Sequence, residues 1–403
     1  MRVLLIHQAF VSPKEAGGTR HFELAKHCLV SDIDFSIVAS NLSYLSGKKA
    51  IERKGIVKKQ SIENIDVYRA YTYPALHKSF IWRVFSFLSF MMTAIIAALR
   101  AGSTDLVMGT SPPIFQALSA WAAAKIKRVP FLLEIRDLWP EFAIAMGVLK
   151  NPILIRLSKL LESFLYAQAD HILVNSPAYR EYMLQRGISP QKVTLIPNGV
   201  EAGMFSGTGA GIRDELGLNG KFVVIYAGAL GQANDIPTLI RAAEILKTNE
   251  KIHFLILGDG KERANLEILA QAYKLNNMTF TGSRPKSEMP SFLAASDACV
   301  AILQDIPMFK TTYPNKVFDY MAAGKPVVLA IDGVIREVVE AANGGIFVPP
   351  GDAKVLSDAI QKLANDPNKA ERMGKDARNY VTAHFDRRMQ AQRFIELITG
   401  MGS

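Results

Sequence analysis

Asn315, Lys316 and Asp319 are the residues whose types and spacing best suit chemistry. They lie in Pro314-Asn-Lys-Val-Phe-Asp-Tyr-Met-Ala-Ala-Gly324. Pro314 suits the first turn of a helix, and Gly324 suits its end. Residues at i, i+3 and i+4 share a helix face, so an amide, a cation and a carboxylate can point to one place. Val317, Phe318, Met321 and Ala322 then take the buried side. Such a group at a helix N-terminus suits a phosphate joined to a hydroxyl-rich moiety, as in a nucleotide-sugar. The plainer alternative is a surface Lys316–Asp319 pair, worth only about 0.2–0.5 kcal/mol.

The elements that must hold this helix form a repeating strand–helix pattern. Apolar runs predict strands at Val3–Ile6, Phe35–Ala39, Val67–Tyr71, Leu106–Met108, Phe131–Glu134, His171–Asn175 and Val193–Ile196. A second series follows at Phe222–Tyr226, His253–Leu257, Met278–Phe280, Ala298–Ile302, Val327–Ala330 and Ile346–Val348. Short apolar strands separated by helical stretches imply parallel sheets covered on both faces, with ligands at the carboxyl ends. The expected domains are 1–202 and 212–380, joined by a glycine-bearing linker at 203–211. The last helical stretch, in 381–403, is long enough to cross back to the first domain.

Glycine turns end three of these strands. Gly17-Gly18 precedes Arg20; Gly228 follows the first strand of the second half; Gly258-Asp259-Gly260 follows the next. Glycine lets a backbone approach a diphosphate closely, although each turn alone is equally an ordinary tight turn.

The chain has 403 residues, 49% of them hydrophobic and 21% charged, which describes a globular protein of two domains. The apolar start is too short for a signal peptide, and Cys28 and Cys299 read as buried free thiols of a reducing compartment. The net charge is +10, partly from Lys48, Lys49, Arg53, Lys54, Lys58 and Lys59. Without interleaved aromatics this stretch does not suit nucleic acid. It fits an anionic membrane surface or a solvated loop. Residues 80–99 carry one charge, Arg83. A helix touching the membrane, an ordinary core helix and a span are all compatible with that length.

Taken together, Gly17-Gly18, Ile196-Pro-Asn-Gly-Val200, Leu257-Gly-Asp-Gly260 and the Pro314–Pro326 helix resemble a GT-B glycosyltransferase of family four. The similarity covers nearly the whole chain. Ser111-Pro-Pro113 and Glu134-Ile-Arg-Asp-Leu-Trp-Pro-Glu141 are similar more narrowly to the bacterial branch, fucosamine transferases included, that builds O-antigen, capsule and exopolysaccharide. The resemblance implies two doubly wound Rossmann-like domains facing a central cleft. It implies retaining transfer from a nucleotide-diphosphate sugar, UDP-linked by family frequency, without a bound metal or cofactor. A polyprenyl-diphosphate-linked saccharide is the implied acceptor, met by a cytoplasmic enzyme on the inner membrane face. Donor contacts are expected from Gly17, Gly18, Arg20, Gly228, Gly258, Asp259, Gly260, Arg284, Asn315, Lys316 and Asp319.

Departures from the family pattern are informative. Of its two glutamates spaced eight apart, the second falls on Asp319 and the first on Thr311. The Arg and Lys expected after the first strand of the second domain are Ala229 and Asn234 or Asp235. Leaving-group charge still needs neutralising, so Lys316 becomes the expected catalytic cation, with Arg20 and Arg284 as second choices. On the acceptor side, Asp137 or Glu141 can orient or deprotonate a hydroxyl. Arg136 can bind an acceptor phosphate, or form a structural pair with a nearby carboxylate. A nucleotide-sugar 2-epimerase and a non-catalytic sugar-nucleotide or membrane scaffold are the other functions this frame allows.

Overall fold

The computed structural model describes residues 1–15, 17–43, 55–74, 80–205 and 207–402. The basic residues Lys48, Lys49, Arg53 and Lys54 lie outside the described residues. The chain divides into two compact units. Unit 1 comprises 1–12, 19–197 and 388–403; unit 2 comprises 13–18 and 198–387. The division therefore falls before Asn198 rather than at a 203–211 linker. Gly209 is itself packed, because a Cβ there would lie 2.1 Å from Ala295 N.

The sheet of unit 1 contains β1 (Arg2–Ile6), β2 (Asp34–Ser40), β3 (Val57–Ile62), β4 (Ile65–Ala70) and β5 (Leu106–Ser111). It continues with β6 (Phe131–Ile135), β7 (His171–Val174) and β8 (Val193–Leu195). The order is β3-β4-β2-β1-β5-β6-β7-β8. All pairings are parallel except β3 with β4. The edge strand β3 is a correction to the basic-loop expectation: Lys58 and Lys59 sit on it, and Lys59 pairs with Asp66 at 2.7 Å.

Helices α1 (Arg20–Val30), α2 (Phe80–Arg100), α3 (Ile114–Lys127), α4 (Glu141–Ala145), α5 (Pro152–Gln168) and α6 (Pro177–Gln185) connect these strands. Buried alanines along α3 let it approach β5 so closely that a Cβ at Gly109 would meet Ala120 at 2.5 Å.

Unit 2 holds β9 (Phe222–Ala227), β10 (Ile252–Leu257), β11 (Met278–Gly282), β12 (Ala298–Ile302), β13 (Val327–Ala330) and β14 (Gly345–Phe347). Their order is β11-β10-β9-β12-β13-β14, all parallel. Its helices begin with α7 (Ala210–Glu215), α8 (Ile236–Ile245), α9 (Arg263–Ala272) and α10 (Met289–Ala294). They continue with α11 (Asn315–Ala322), α12 (Val334–Ala341), α13 (Ala353–Asn365) and α14 (Pro367–His384). The final helix, α15 (Arg387–Gly402), sends Ala391, Phe394 and Ile398 into the core of unit 1 beside Val3, Phe22 and Phe35. Both cysteines are buried free thiols, each pushed up to about 12 by burial.

In each unit the chain leaves the first strand in one direction and later returns on its other side. These switch points lie between β1 and β5 and between β9 and β12. Loops diverge there and leave a crevice at the carboxyl ends, where α/β folds bind ligands.

Candidate active site

In unit 2 the crevice is bordered by the loop after β9 and by α11. The Tyr320 hydroxyl fixes the helix to the strand, accepting from Ala227 N at 2.8 Å and donating to Ala227 O at 3.0 Å. Pro314 stands directly before the helix, and Gly324 closes it with φ 69°. One turn from Tyr320, Lys316 reaches into the β9 loop. Its ammonium donates to Tyr226 Oη at 2.9 Å and Asn234 Oδ1 at 3.0 Å, and lies 4.3 Å from the Tyr226 ring centroid. Gly228 makes room for it, since a Cβ there would meet Nζ at 2.7 Å. No carboxylate pairs with this ammonium among the described residues, and burial pulls its pKa down to about 7.

The expected convergence of Lys316 and Asp319 does not occur. Asp319 instead accepts from Lys286 Nζ at 2.5 Å. The i, i+3 spacing allowed a pair, but the enclosure beside Gly228 takes the longer side chain the other way. Asn315 stands exposed at the first position of α11. The segment 13–18 belongs with unit 2, where Lys286 N donates to Glu15 O at 3.3 Å. A Cβ at Gly18 would lie 3.3 Å from Asn315 Nδ2, and Gly17 takes φ 139°.

Gly258 and Gly260 have a different explanation from the one expected. A Cβ at Gly258 would strike Gly228 O at 1.8 Å, and one at Gly260 would strike Leu230 O at 2.3 Å. Backbone bonds from Gly228 N to Leu257 O and from Leu230 N to Asp259 O, both 2.9 Å, lock the two turns together. These glycines allow loop-on-loop packing. Asp259 is turned to Arg263, at 3.5 Å. Arg284 pairs with Glu288 at 3.7 Å and lies over the Phe292 ring.

Unit 1 gathers a charged cluster at the ends of β1 and β6. Arg20, expected at the donor, is buried within this unit instead. Its guanidinium donates to Glu134 Oε1 at 3.0 Å, Pro197 O at 2.8 Å and Ile196 O at 2.9 Å. The second oxygen of Glu134 meets His21 Nε2 at 2.5 Å. Burial works against the Glu134 charge, but His21, Arg20 and Arg136 outweigh it and hold its pKa well below the usual range. Burial lowers His21 in turn, with Glu134 opposing, and the permanent charges of Arg20 and Arg136 act beside the His21 contact in keeping Glu134 ionised. His7 is buried with both ring nitrogens unpartnered, and burial followed by the Arg136 charge pulls its pKa well down.

Arg136 donates to Pro112 O at 3.4 Å, while its Nε is unpartnered. Burial pushes the neighbouring Asp137 carboxyl up to about 6, against the Arg136 charge and a 3.4 Å hydrogen bond from Tyr179. Glu141 opens α4 and pairs with Lys159 of α5 at 3.0 Å. Among the described residues no group of three or more His, Cys, Asp or Glu is arranged to hold a metal.

Two family models divide the chain along these lines. Residues 211–380 match "Glycosyl transferases group 1", and residues 23–199 match "Glycosyl transferase 4-like domain". The chain is a glycosyltransferase of GT-B fold. It is similar to the putative colanic acid biosynthesis glycosyl transferase WcaI of Escherichia coli, 23% identical over 83% of this chain and 84% of that protein. The probable glycosyltransferase WbjE of Pseudomonas aeruginosa is 26% identical over 66% of this chain and 67% of its own length. In fold it resembles Anabaena HepE, solved with UDP-glucose, at TM-score 0.75 and 19% identity, over 99% and 100% of the two chains.

The structure also brings to these places residues that the sequence alone does not single out. Tyr226 reads as one more apolar strand residue, yet its hydroxyl both donates to Ala229 O at 2.8 Å and receives Lys316. Lys286 lies two residues from Arg284 and supplies the partner of Asp319. Glu134 fell within a motif without an assigned part. Only the partners, not the pattern, distinguish these residues.

Proposed function

We propose that this glycosyltransferase moves a sugar from a nucleotide-diphosphate donor, UDP-linked by preference, to a saccharide carried on polyprenyl diphosphate. The work takes place on the inner face of the cell membrane, in surface-polysaccharide synthesis of the O-antigen, capsule or exopolysaccharide kind, with retention at the anomeric carbon. One observation carries the reading: the Lys316 ammonium beside Gly228 has only neutral oxygens as partners. Donor diphosphate supplies the missing negative charge. As the bond from the anomeric carbon to the diphosphate oxygen breaks, that oxygen keeps the electron pair, and Lys316 with the loop amides stabilises it. The acceptor hydroxyl oxygen bonds to the same carbon, and its proton passes to Asp137, whose raised pKa suits a base near neutrality. No metal takes part in this step. Arg136, with a free Nε, holds the acceptor's phosphate.

Supplying a panel of nucleotide-sugars, each with a polyprenyl-diphosphate saccharide, tests this. Nucleoside diphosphate is expected only when donor and lipid acceptor are both present. Donor consumed without acceptor, with an isomeric nucleotide-sugar accumulating, would replace transfer by epimerisation.

A further inference from the structure

Unit 1 carries a surface unlike the rest of the molecule. The connections β4-α2-β5, β5-α3-β6 and β6-α4-α5-β7 all progress in one direction across the sheet. Right-handed crossovers therefore place α2, α3 and α5 on the same face. Phe87 of α2 stacks on Phe115 of α3 at 6.2 Å, and Trp121 of α3 meets Phe164 of α5 edge-on at 4.9 Å. The outer surface of the flanking helices is apolar. Phe85, Met92 and Leu99 repeat every seven residues on α2, and Ile153, Leu157 and Leu160 form the matching stripe on α5. Met92 is 60% exposed and Ile153 67%.

Charge tells what covers them. The three helices contain a single acidic residue, Glu162, and it is buried. Exposed Arg100, Lys125 and Arg156 border the stripes, and exposed Lys150 precedes α5. Two copies meeting through this face would bring Arg100, Lys125 and Arg156 together, and Glu141 of α4 beside them is already paired with Lys159. A sheet of lipid phosphates would neutralise each one. No helix among the described residues is long and apolar enough to cross a membrane, so the stripes would lie along it.

We propose that the α2–α5 face is a docking platform for an anionic phospholipid bilayer. Met92, Leu157 and their neighbours enter the headgroup–acyl boundary, while Arg100, Lys125 and Arg156 meet phosphates. This deepens the membrane placement proposed above by naming the surface, α5 above all, but it does not depend on the transfer reaction.

Flotation of the full chain with phosphatidylglycerol–phosphatidylcholine vesicles tests it, with phosphatidylcholine alone for comparison. The wild type is expected to float with the anionic vesicles. Leu157→Glu with Leu160→Glu, and separately Phe85→Glu with Met92→Glu, should each lower partitioning at least tenfold at unchanged melting temperature. Arg156→Ala should lower it about fivefold, on anionic vesicles only. Ile268→Glu, at an exposed site on α9, should change nothing.

Three outcomes would overturn the platform. They are no flotation of the wild type, equal loss in Ile268→Glu, and a dimer that Leu157→Glu/Leu160→Glu splits, which would make the face a self-contact. Turnover with a water-soluble acceptor analogue reports separately on the transfer reading.

Discussion

Both units place a cation near the carboxyl ends of a parallel sheet, and they treat it in opposite ways. Arg20 is surrounded by a buried carboxylate and two backbone carbonyls, so its charge is cancelled where it stands. Lys316 is enclosed as well, but a hydroxyl and an amide oxygen are all that hold it. Burying a charge without a counter-charge is costly, and the lowered pKa of Lys316 records that cost. A protein gains from such an arrangement when a ligand brings the counter-charge. The partner, more than the residue type or the depth, separates a structural cation from one held ready for an anion.

The largest expected effect lies on the structural side. Arg20→Ala should destabilise unit 1 by about 3–5 kcal/mol, because Glu134 would be left charged and buried. Urea denaturation measures this. A loss below about 1 kcal/mol would show that Glu134 does not need Arg20 and would erase the contrast. Lys316→Met should do the reverse. Donor kcat/KM should fall about 10²–10³-fold, with stability unchanged or slightly raised as an uncompensated charge leaves the interior. Normal turnover in Lys316→Met would remove Lys316 from the reaction.

A smaller effect sharpens the comparison. Asn234 or Asp235 stands at the loop position where the family resemblance expects a lysine, and Asn234 Oδ1 lies 3.0 Å from the Lys316 ammonium. A lysine at 234 would bring a cation close to where the Lys316 ammonium lies. Asn234→Lys combined with Lys316→Asn should therefore recover at least tenfold of the turnover lost in Lys316→Asn alone. If the double variant is no better than the single one, a charge at that point is insufficient and the α11 side chain has a more specific part.

Much of this frame was legible in the residues. Every strand of unit 2 lies where an apolar run places it; the inner strands are largely buried on both faces and so largely apolar, while the half-buried edges β11 and β14 keep only a few apolar residues each. The strand that escaped was β3, a half-exposed edge whose Val-Lys-Lys-Gln-Ser-Ile carries too few apolar residues to stand out from the basic segment before it. Pro314 and Gly324 bounded α11 because each acts through its own backbone. Side-chain partnership was less legible. Helical spacing put Lys316 and Asp319 on one face, but Gly228 and Tyr226, about 90 residues earlier, decided where the ammonium goes. Arg20 beside Gly18 suggested a diphosphate contact until Glu134, distant in sequence, proved to hold it. At Gly258 and Gly260 the expected approach is to a diphosphate, and the close approach that the structure shows is to another loop.

The smallest effect is the most diagnostic, because it separates a charged from a neutral Lys316. In the free protein burial sets its pKa at about 7, against an ordinary 10.5. The unfolded chain therefore binds the proton more tightly between those values. The cost of burying the charge is present in full below pH 7 and is relieved as pH rises toward 10.5. Binding runs the opposite way. A donor diphosphate favours the protonated lysine, so affinity should be flat well below pH 7 and weaken above it, by up to about fivefold between pH 7 and 8. An intact nucleotide-sugar suits the measurement because its diphosphate has no terminal phosphate titrating in that range. Lys316→Arg keeps its charge throughout and should bind without this slope. Calorimetric titrations of both forms across pH 6–9 decide the matter, since equal slopes would assign the proton to another group and leave Lys316 as a lysine that is merely buried.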